Sequence, residues 1–340
     1  MAQKRKRLRS DRAETVWIVP GRACALDVDG AAGEPYPPRD KERRVSQRVD
    51  FDDRDGFIWF DGKLVPWREA NIHVLTHALH YASSVFEGQR IYGGEVFRLS
   101  DHSARLKRSA ALLGMELPWS AEEIDAACRE VVSANAMEEG YMRPVAWRGS
   151  EQMGVTAIDV PAHLAIACWP WGAYFGEEAI LKGLRLDISP WRRPAPYTAP
   201  TESKAAGLYM ICTLARLEAE KKGFDDALMF DWRGQVAEGT GANVFFVRDG
   251  ALHTPTPDCF LNGITRQTVI DLARRRGIEV VERAIWPEEL ESFEQCFLTG
   301  SAAEVTPVNT VGPWRFEVGD VTRQMRKDYL DLVNRRLGND

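Results

Sequence analysis

The sequence predicts an α+β protein of two domains, and three observations carry that reading. At 340 residues the chain is too long to fold around one small core. Short alternating apolar stretches, paired across Asp61-Gly62 and Gly93-Gly94, are interleaved with segments of helical spacing. The pattern shifts near residue 170, at "WGAYFGEEA", and a second set of strand-like and helical stretches follows.

Residues 1–50 begin with the basic run "MAQKRKRLRS" and continue as a polar, proline-containing stretch without periodicity, the composition of a disordered extension. Order begins at "DGFIWFDGKLVPW", which reads as a hairpin whose turn favours positive φ. "GQRIYGGEVFRL" repeats the pattern. "DHSARLKRSAALLGM" has leucines and alanines at helical spacing, and "SAEEIDAACREVVSANAM" opens with Ser120 and Glu123 placed as a capping box. "YMRPVAWRG" and "AHLAIACWPW" are strand-like, which completes a domain over residues 51–170.

In the second half, "SPWRRPAPYTAPTES" carries four prolines and reads as a loop. "MICTLARLEAEKKG" is an amphipathic helix ending at Gly223. Strands are expected at "DALMFDW", "ANVFFVRDGALHTP" and "EQCFLTG", and helices at "TRQTVIDLARRRG" and "DVTRQMRKDYLDLVNRRL".

A net charge of -6 argues against broad nucleic-acid binding, which needs a basic face. The basic start lacks the apolar core of a secretory signal, and nowhere is there an apolar run of about 18 residues long enough to span a membrane. Six scattered cysteines without a CxxC pair point to a reducing compartment, the cytoplasm, and to no metal site. His77 and His80 have HxxH spacing but no carboxylate within a helical turn, so they read as structural.

The candidate chemistry centres on Lys204 in "PTESKAAGLYM". A lone lysine is ordinarily a solvated surface residue. Here its neighbours are small and apolar, and a desolvated amine near a helix end has its charged form disfavoured, which makes it a nucleophile. The alanines and Gly207 leave room for a flat ring, and Tyr209 lies within reach of a ring substituent. Glu238, on the glycine-rich bend of "VAEGTGANVFFV", is a candidate partner for a ring nitrogen. "LNGITRQTV" leads from a turn into a helix, where the amides of Ile264 and Thr265 can cradle a phosphate. "LTGSAAEV" reads as a second turn into a helix, with the Ser301 hydroxyl, and Arg105 offers a full positive charge.

The stretch "EGTGANVFFVRDGALHTPTPDCFLNGITR" resembles the signature of the class IV pyridoxal-phosphate aminotransferases. Further blocks, "HALHYASSVFEGQR", "HSARLKRSA", "YMRP", "MGV", "PWGAY", "SKAAGLY" and "GSAAEVTPV", extend the resemblance over residues 51–340 and are most similar to the branched-chain amino acid aminotransferases. The resemblance implies a two-domain fold type IV enzyme: a small α/β domain, an interdomain loop at residues 171–180, and a larger domain at 181–340 with a barrel-like sheet. Pyridoxal 5'-phosphate would lie between them. By the same resemblance Lys204 carries the cofactor and moves the proton, Glu238 meets the pyridine nitrogen, and Tyr209 meets the ring hydroxyl. Arg105, Ile264, Thr265 and Ser301 hold the phosphate.

For substrates, it assigns Tyr141 and the backbone at Ser301 and Ala302 to the α-carboxylate, and Arg143 to the side-chain carboxylate of glutamate. Tyr81, Phe86, Trp171, Tyr174 and Tyr209 form the pocket for a branched side chain. Met153 and Val155 match a loop that reaches a neighbouring subunit, so a homodimer or higher oligomer is implied. The implied reaction is transamination between leucine, isoleucine or valine and 2-oxoglutarate. D-amino acid aminotransferases, R-amine transaminases and aminodeoxychorismate lyase share the lysine and phosphate motifs and remain alternatives, as does a non-catalytic binding protein. Two positions depart from the family pattern: Ala242 stands where some members carry glutamate, and Ser301 where threonine is common.

Overall fold

A computed structural model of the chain describes residues 50–334, apart from residues 158, 173 and 174. The expected extension before Asp50, and the candidate pocket residue Tyr174, lie outside the described residues.

The N-terminal sheet contains β1 (Phe57–Phe60), β2 (Lys63–Pro66), β3 (Ser84–Phe86), β4 (Gln89–Tyr92), β5 (Glu95–Val96), β6 (Gly140–Arg148) and β7 (Ala162–Pro170), in the order β2-β1-β7-β6-β4-β5 with β3 also on β6. The β1–β2 hairpin closes with Phe60 opposite Lys63, and both turn residues adopt positive φ, 47° at Asp61 and 99° at Gly62. Three helices belong to this half: α1 (His77–Tyr81), α2 (Leu99–Leu112) and α3 (Ala121–Ala134). The capping box forms as expected, with Glu123 N donating to Ser120 Oγ at 3.1 Å and Ser120 N donating to Glu123 Oε2 at 2.7 Å. Leu106 and Ala110 of α2 and Ile124 and Val131 of α3 bury against Ile91, Met142, Leu164 and Ile166 of the sheet.

The second half begins with α4 (Glu177–Lys182), which overlaps the stretch expected as a connecting loop, and β8 (Leu184–Ile188). After the proline-rich run come α5 (Tyr209–Lys221), β9 (Asp226–Phe230), β10 (Val236–Gly239), β11 (Asn243–Arg248) and β12 (Ala251–Pro255). Then follow α6 (Ile264–Arg275), β13 (Val280–Arg283), β14 (Gln295–Gly300), β15 (Glu304–Val311), β16 (Trp314–Arg315) and α7 (Asp320–Val333). Six of these strands run β10-β9-β8-β15-β14-β11, and β11 pairs back to β10 through Asn243 and Glu238, so the ring closes as a barrel. Side chains from all six strands, among them Leu186, Leu228, Val236, Phe246, Leu298 and Val308, fill its interior. Alternation along β11 sends Phe245 and Val247 outward against α6 and α7.

Two expectations are corrected. The turn at Ser301 leads not into a helix but into β15, because "EVTPVNTV" is a β-branched run that fits a pleated sheet and pairs along β14. Glu238 lies within β10 rather than on the bend after it, since Met229 and Asn243 flank it as strand partners.

On the outer face of the barrel, the Phe245 and Phe297 rings stack at 5.0 Å with 2° between their planes, and both are fully buried. Replacing Phe245 by alanine should cost about 3–5 kcal/mol of stability, read as a lower denaturation midpoint. A change below about 1 kcal/mol would show that α6 and α7 do not depend on this contact.

Candidate active site

Lys204 does not begin a helix. Its amide donates to Ser109 Oγ at 3.0 Å, its carbonyl accepts from Phe86 N at 3.1 Å, and the next residue, Ala205, bridges to Val85 of β3. The lysine backbone is thus clamped between β3 of the N-terminal sheet and α2. Its Nζ donates to Tyr209 Oη at 2.8 Å and lies 5.0 Å from the centre of the Phe86 ring. Burial, reinforced by the Arg105 guanidinium, lowers the amine's pKa from 10.5 to about 8.

This amine faces a cavity with about 720 Å³ of empty space, part of it open to solvent. Nine of the expected residues line it: Lys204, Arg105, Tyr141, Tyr209, Glu238, Ile264, Thr265, Ser301 and Ala302. From the barrel side the contributions come from β10, the start of α6, the β14–β15 turn, the segment before α5 and the first residue of α5, Tyr209.

The carboxylate of Glu238 is held by Asn243 Nδ2, 3.2 Å from Oε2, and by Arg193 Nε, 3.3 Å from Oε1. Burial pushes its pKa up to about 7, held back by Arg193 and Lys204. Asn243 also donates to Leu261 O at 3.0 Å and accepts from Gly263 N at 3.1 Å, so it ties the start of α6 to the barrel. A Cβ at Gly263 would collide with Asn243 Oδ1, which is why glycine is needed there. The first intrahelical bond of α6 runs from Gln267 N to Gly263 O, so the amides of Ile264 and Thr265 are left for an anion. Across the cavity, Arg105 is buried and held by Glu87.

These residues fit a flat, anionic cofactor that bonds to an amine. Thr299 Oγ1 is buried at the cavity wall without a hydrogen-bond partner. A Cβ built on Gly241 meets nothing within 4 Å, and the lining offers an amine, a carboxylate, a guanidinium and helix-end amides.

The remaining expected residues are placed differently. Phe86 packs edge-on against Tyr209 with centroids 4.7 Å apart. The Arg143 guanidinium lies over the Phe86 ring, 4.6 Å from its centre, with Nη2 donating to Tyr141 Oη at 3.3 Å. Trp171 lies 5.7 Å from the Tyr141 ring. Tyr81 packs on His77 and is 43% exposed, while Met153 and Val155 are 44% and 84% exposed. None of these six residues, Phe86, Arg143, Trp171, Tyr81, Met153 and Val155, is among those that line the cavity within this chain. Ala242 lines it, as do Arg193, Asn243 and Thr299, which the sequence reading did not single out. Arg193 sits inside the proline-rich run, where irregular composition hid it; Asn243 ends the "EGTGAN" stretch, directly after Ala242.

His77 and His80 do not face a common ion: His77 bonds Ser83 Oγ and Gly154 O, and His80 bonds Val74 O. Asp231, Asp258 and Cys259 cluster closely, but Arg233 pairs with both carboxylates and takes the place of a cation.

Glu238 gives a pH prediction. Its folded pKa of about 7 exceeds the ordinary carboxylate value of 4.5, so the folded state binds more protons and stability falls as pH rises from 4.5 to 7. In protein stripped of small molecules, Glu238→Gln should gain up to about 3 kcal/mol relative to wild type across that interval. Parallel Tm-versus-pH curves for the two proteins would contradict the assignment.

A family model described as amino-transferase class IV matches residues 84–311. Over 289 residues the chain is 44% identical to the branched-chain-amino-acid aminotransferase of Pseudomonas aeruginosa, covering 83% of this chain and 94% of that protein. Its structure is similar to the branched-chain aminotransferase of Thermoproteus uzoniensis solved with norvaline, at TM-score 0.80 and 38% identity, covering 83% and 96% of the two chains. It is also similar to the branched-chain amino acid aminotransferase of Thermobaculum terrenum solved in its PLP-form, at TM-score 0.75 and 33% identity, covering 83% and 95%. The chain belongs to the class IV amino-transferases.

Proposed function

We propose that this protein is a pyridoxal-phosphate-dependent aminotransferase that exchanges the amino group of leucine, isoleucine or valine with 2-oxoglutarate, giving branched-chain 2-oxo acids and L-glutamate. The observation that carries this reading is the Lys204 amine, half-buried between Phe86 and Tyr209 with its pKa lowered to about 8. At pH 7.5 that shift raises the neutral fraction from roughly 0.1% to roughly a quarter, so a nucleophile is present without an added base.

When bound, the cofactor supplies an aldehyde for the amine and a ring that withdraws electrons from the substrate's Cα. The protein does the rest. Lys204 Nζ gives and takes the proton at Cα, and Tyr209 Oη fixes where Nζ points. Glu238, kept at the cavity wall by Asn243 and Arg193, holds the proton of the ring nitrogen. Arg105, the amides of Ile264 and Thr265, and Ser301 take the phosphate.

For substrate binding, Tyr141 with Ser301 and Ala302 takes the α-carboxylate. Phe86, Trp171 and Tyr209, with Tyr81 and Tyr174, form the wall for an aliphatic side chain, and Arg143, stacked on Phe86, meets the second carboxylate of glutamate. The guanidinium lies over the Phe86 ring, so an apolar surface and a positive charge stand side by side for the two partners.

We assign residues 51–170 and 181–340 to the two domains and 171–180 to their connection. The exposed Met153 and Val155 fit a loop that completes the site of a second subunit, in a homodimer or larger assembly. The five described cysteines are buried free thiols, and no helix among the described residues is long and apolar enough to cross a membrane; both fit an enzyme of the cytoplasm.

Lys204→Ala should retain the fold, by circular dichroism and gel filtration, while losing both the yellow absorbance of bound cofactor and transamination of L-leucine by at least about a thousandfold. Appreciable turnover by that variant would remove Lys204 from the mechanism.

A further inference from the structure

Glu87 has no part in the roles given so far, yet it is fully buried beside the cavity. It follows Phe86 directly, and its own amide donates to Pro144 O at 2.8 Å, which locks the backbone between the Lys204 segment and β6. The next residue, Gly88, could carry no side chain, because a Cβ there would collide with Tyr141 Oη. The carboxylate accepts Arg105 Nε at Oε1 and Arg105 Nη2 at Oε2, each at 2.7 Å, and His102 Nδ1 at Oε2 at 2.6 Å.

A buried ion pair is weak evidence of stabilisation, since desolvating two charges offsets much of their attraction. Burial alone would push the Glu87 carboxyl up, but Arg105 and then His102 outweigh it and hold it well below the usual carboxylate range, so it stays charged. What the pair does supply is geometry. Two parallel bonds fix the plane of the guanidinium and occupy Nε and Nη2, leaving Nη1 uncommitted to Glu87 on a residue that lines the cavity. An arginine held this way has already lost the rotamer freedom that it would otherwise lose on meeting an anion.

Resting on the reading of the site as a pyridoxal-phosphate site, we propose that Glu87 is a positioning residue that presets Arg105 to receive the cofactor's phosphate. His102 supports it by taking the outer side of Oε2. Glu87 itself touches neither cofactor nor substrate.

The test uses the full chain, stripped of cofactor and titrated with pyridoxal phosphate or with pyridoxal, which lacks the phosphate, reading absorbance. Glu87→Gln keeps the volume and should weaken pyridoxal phosphate binding about 10- to 100-fold, the range that loss of an outer-shell partner costs at metal sites. Binding of pyridoxal should change less than about twofold, because no phosphate is there for Arg105 to meet. In an Arg105→Gln background, the same substitution should have little further effect on pyridoxal phosphate. Glu87→Asp, which keeps the charge but shortens its reach, should weaken pyridoxal phosphate in the same direction and serves if the glutamine variant does not fold. Equal losses for the two ligands, additive losses in the double variant, or unchanged pyridoxal phosphate affinity would each overturn the proposal. Failure of the wild-type chain to bind either ligand would instead overturn the reading of the site.

Discussion

The pairing of Glu238 with Asn243 is the contact on which the site depends. It closes the six-stranded ring by joining β10 to β11, and both side chains then point to the cavity wall. Asn243 continues outward to Leu261 O and Gly263 N, so the same residue that helps to close the barrel sets the start of α6. A carboxylate and a set of helix-end amides are thereby held at fixed separation on one rigid scaffold. Distances on a closed sheet cannot drift strand by strand, which suits a site that must grip two ends of one flat molecule.

Electrostatics in this cavity are a matter of paired offsets. Each buried charge would be costly alone. Arg105 is offset by Glu87, and Arg193 by Glu238, at 2.7 and 3.3 Å. Lys204 has no carboxylate as close, and burial therefore wins: its amine shifts toward the neutral form while the two arginines stay charged. The same low-dielectric setting that would destabilise a lone lysine makes this one reactive, and the cost is carried by the apolar packing of the two sheets around it.

Features encoded locally were legible in the sequence. Asp61-Gly62 and Gly93-Gly94 announce hairpins because few other pairs tolerate two positive φ values, and Ser120 with Glu123 announces a helix start because the cap needs only residues three apart. Features set by distant contacts were not. The run after Ser301 resembles a turn into a helix until β14 is beside it to receive its β-branched side chains. Arg193 lies in a proline-rich loop that carries no period, and only the fold brings it to Glu238. Glu87 is one acid in "VFEGQR", with nothing local to mark it; its meaning appears when α2 places His102 and Arg105 over it. Phe86, Arg143, Trp171, Tyr81, Met153 and Val155 are not among the residues that line the cavity of their own chain, and no local pattern in the sequence separates them from those that do.

The most direct measurement is the absorbance spectrum of the purified protein before and after adding L-leucine and L-glutamate separately. A yellow protein bleached by each of the two amino acids is the result expected of the proposed aminotransferase, whose two half-reactions take a branched-chain amino acid and glutamate in turn. Bleaching by D-alanine or an R-amine, with no response to L-leucine or to L-glutamate, would contradict it.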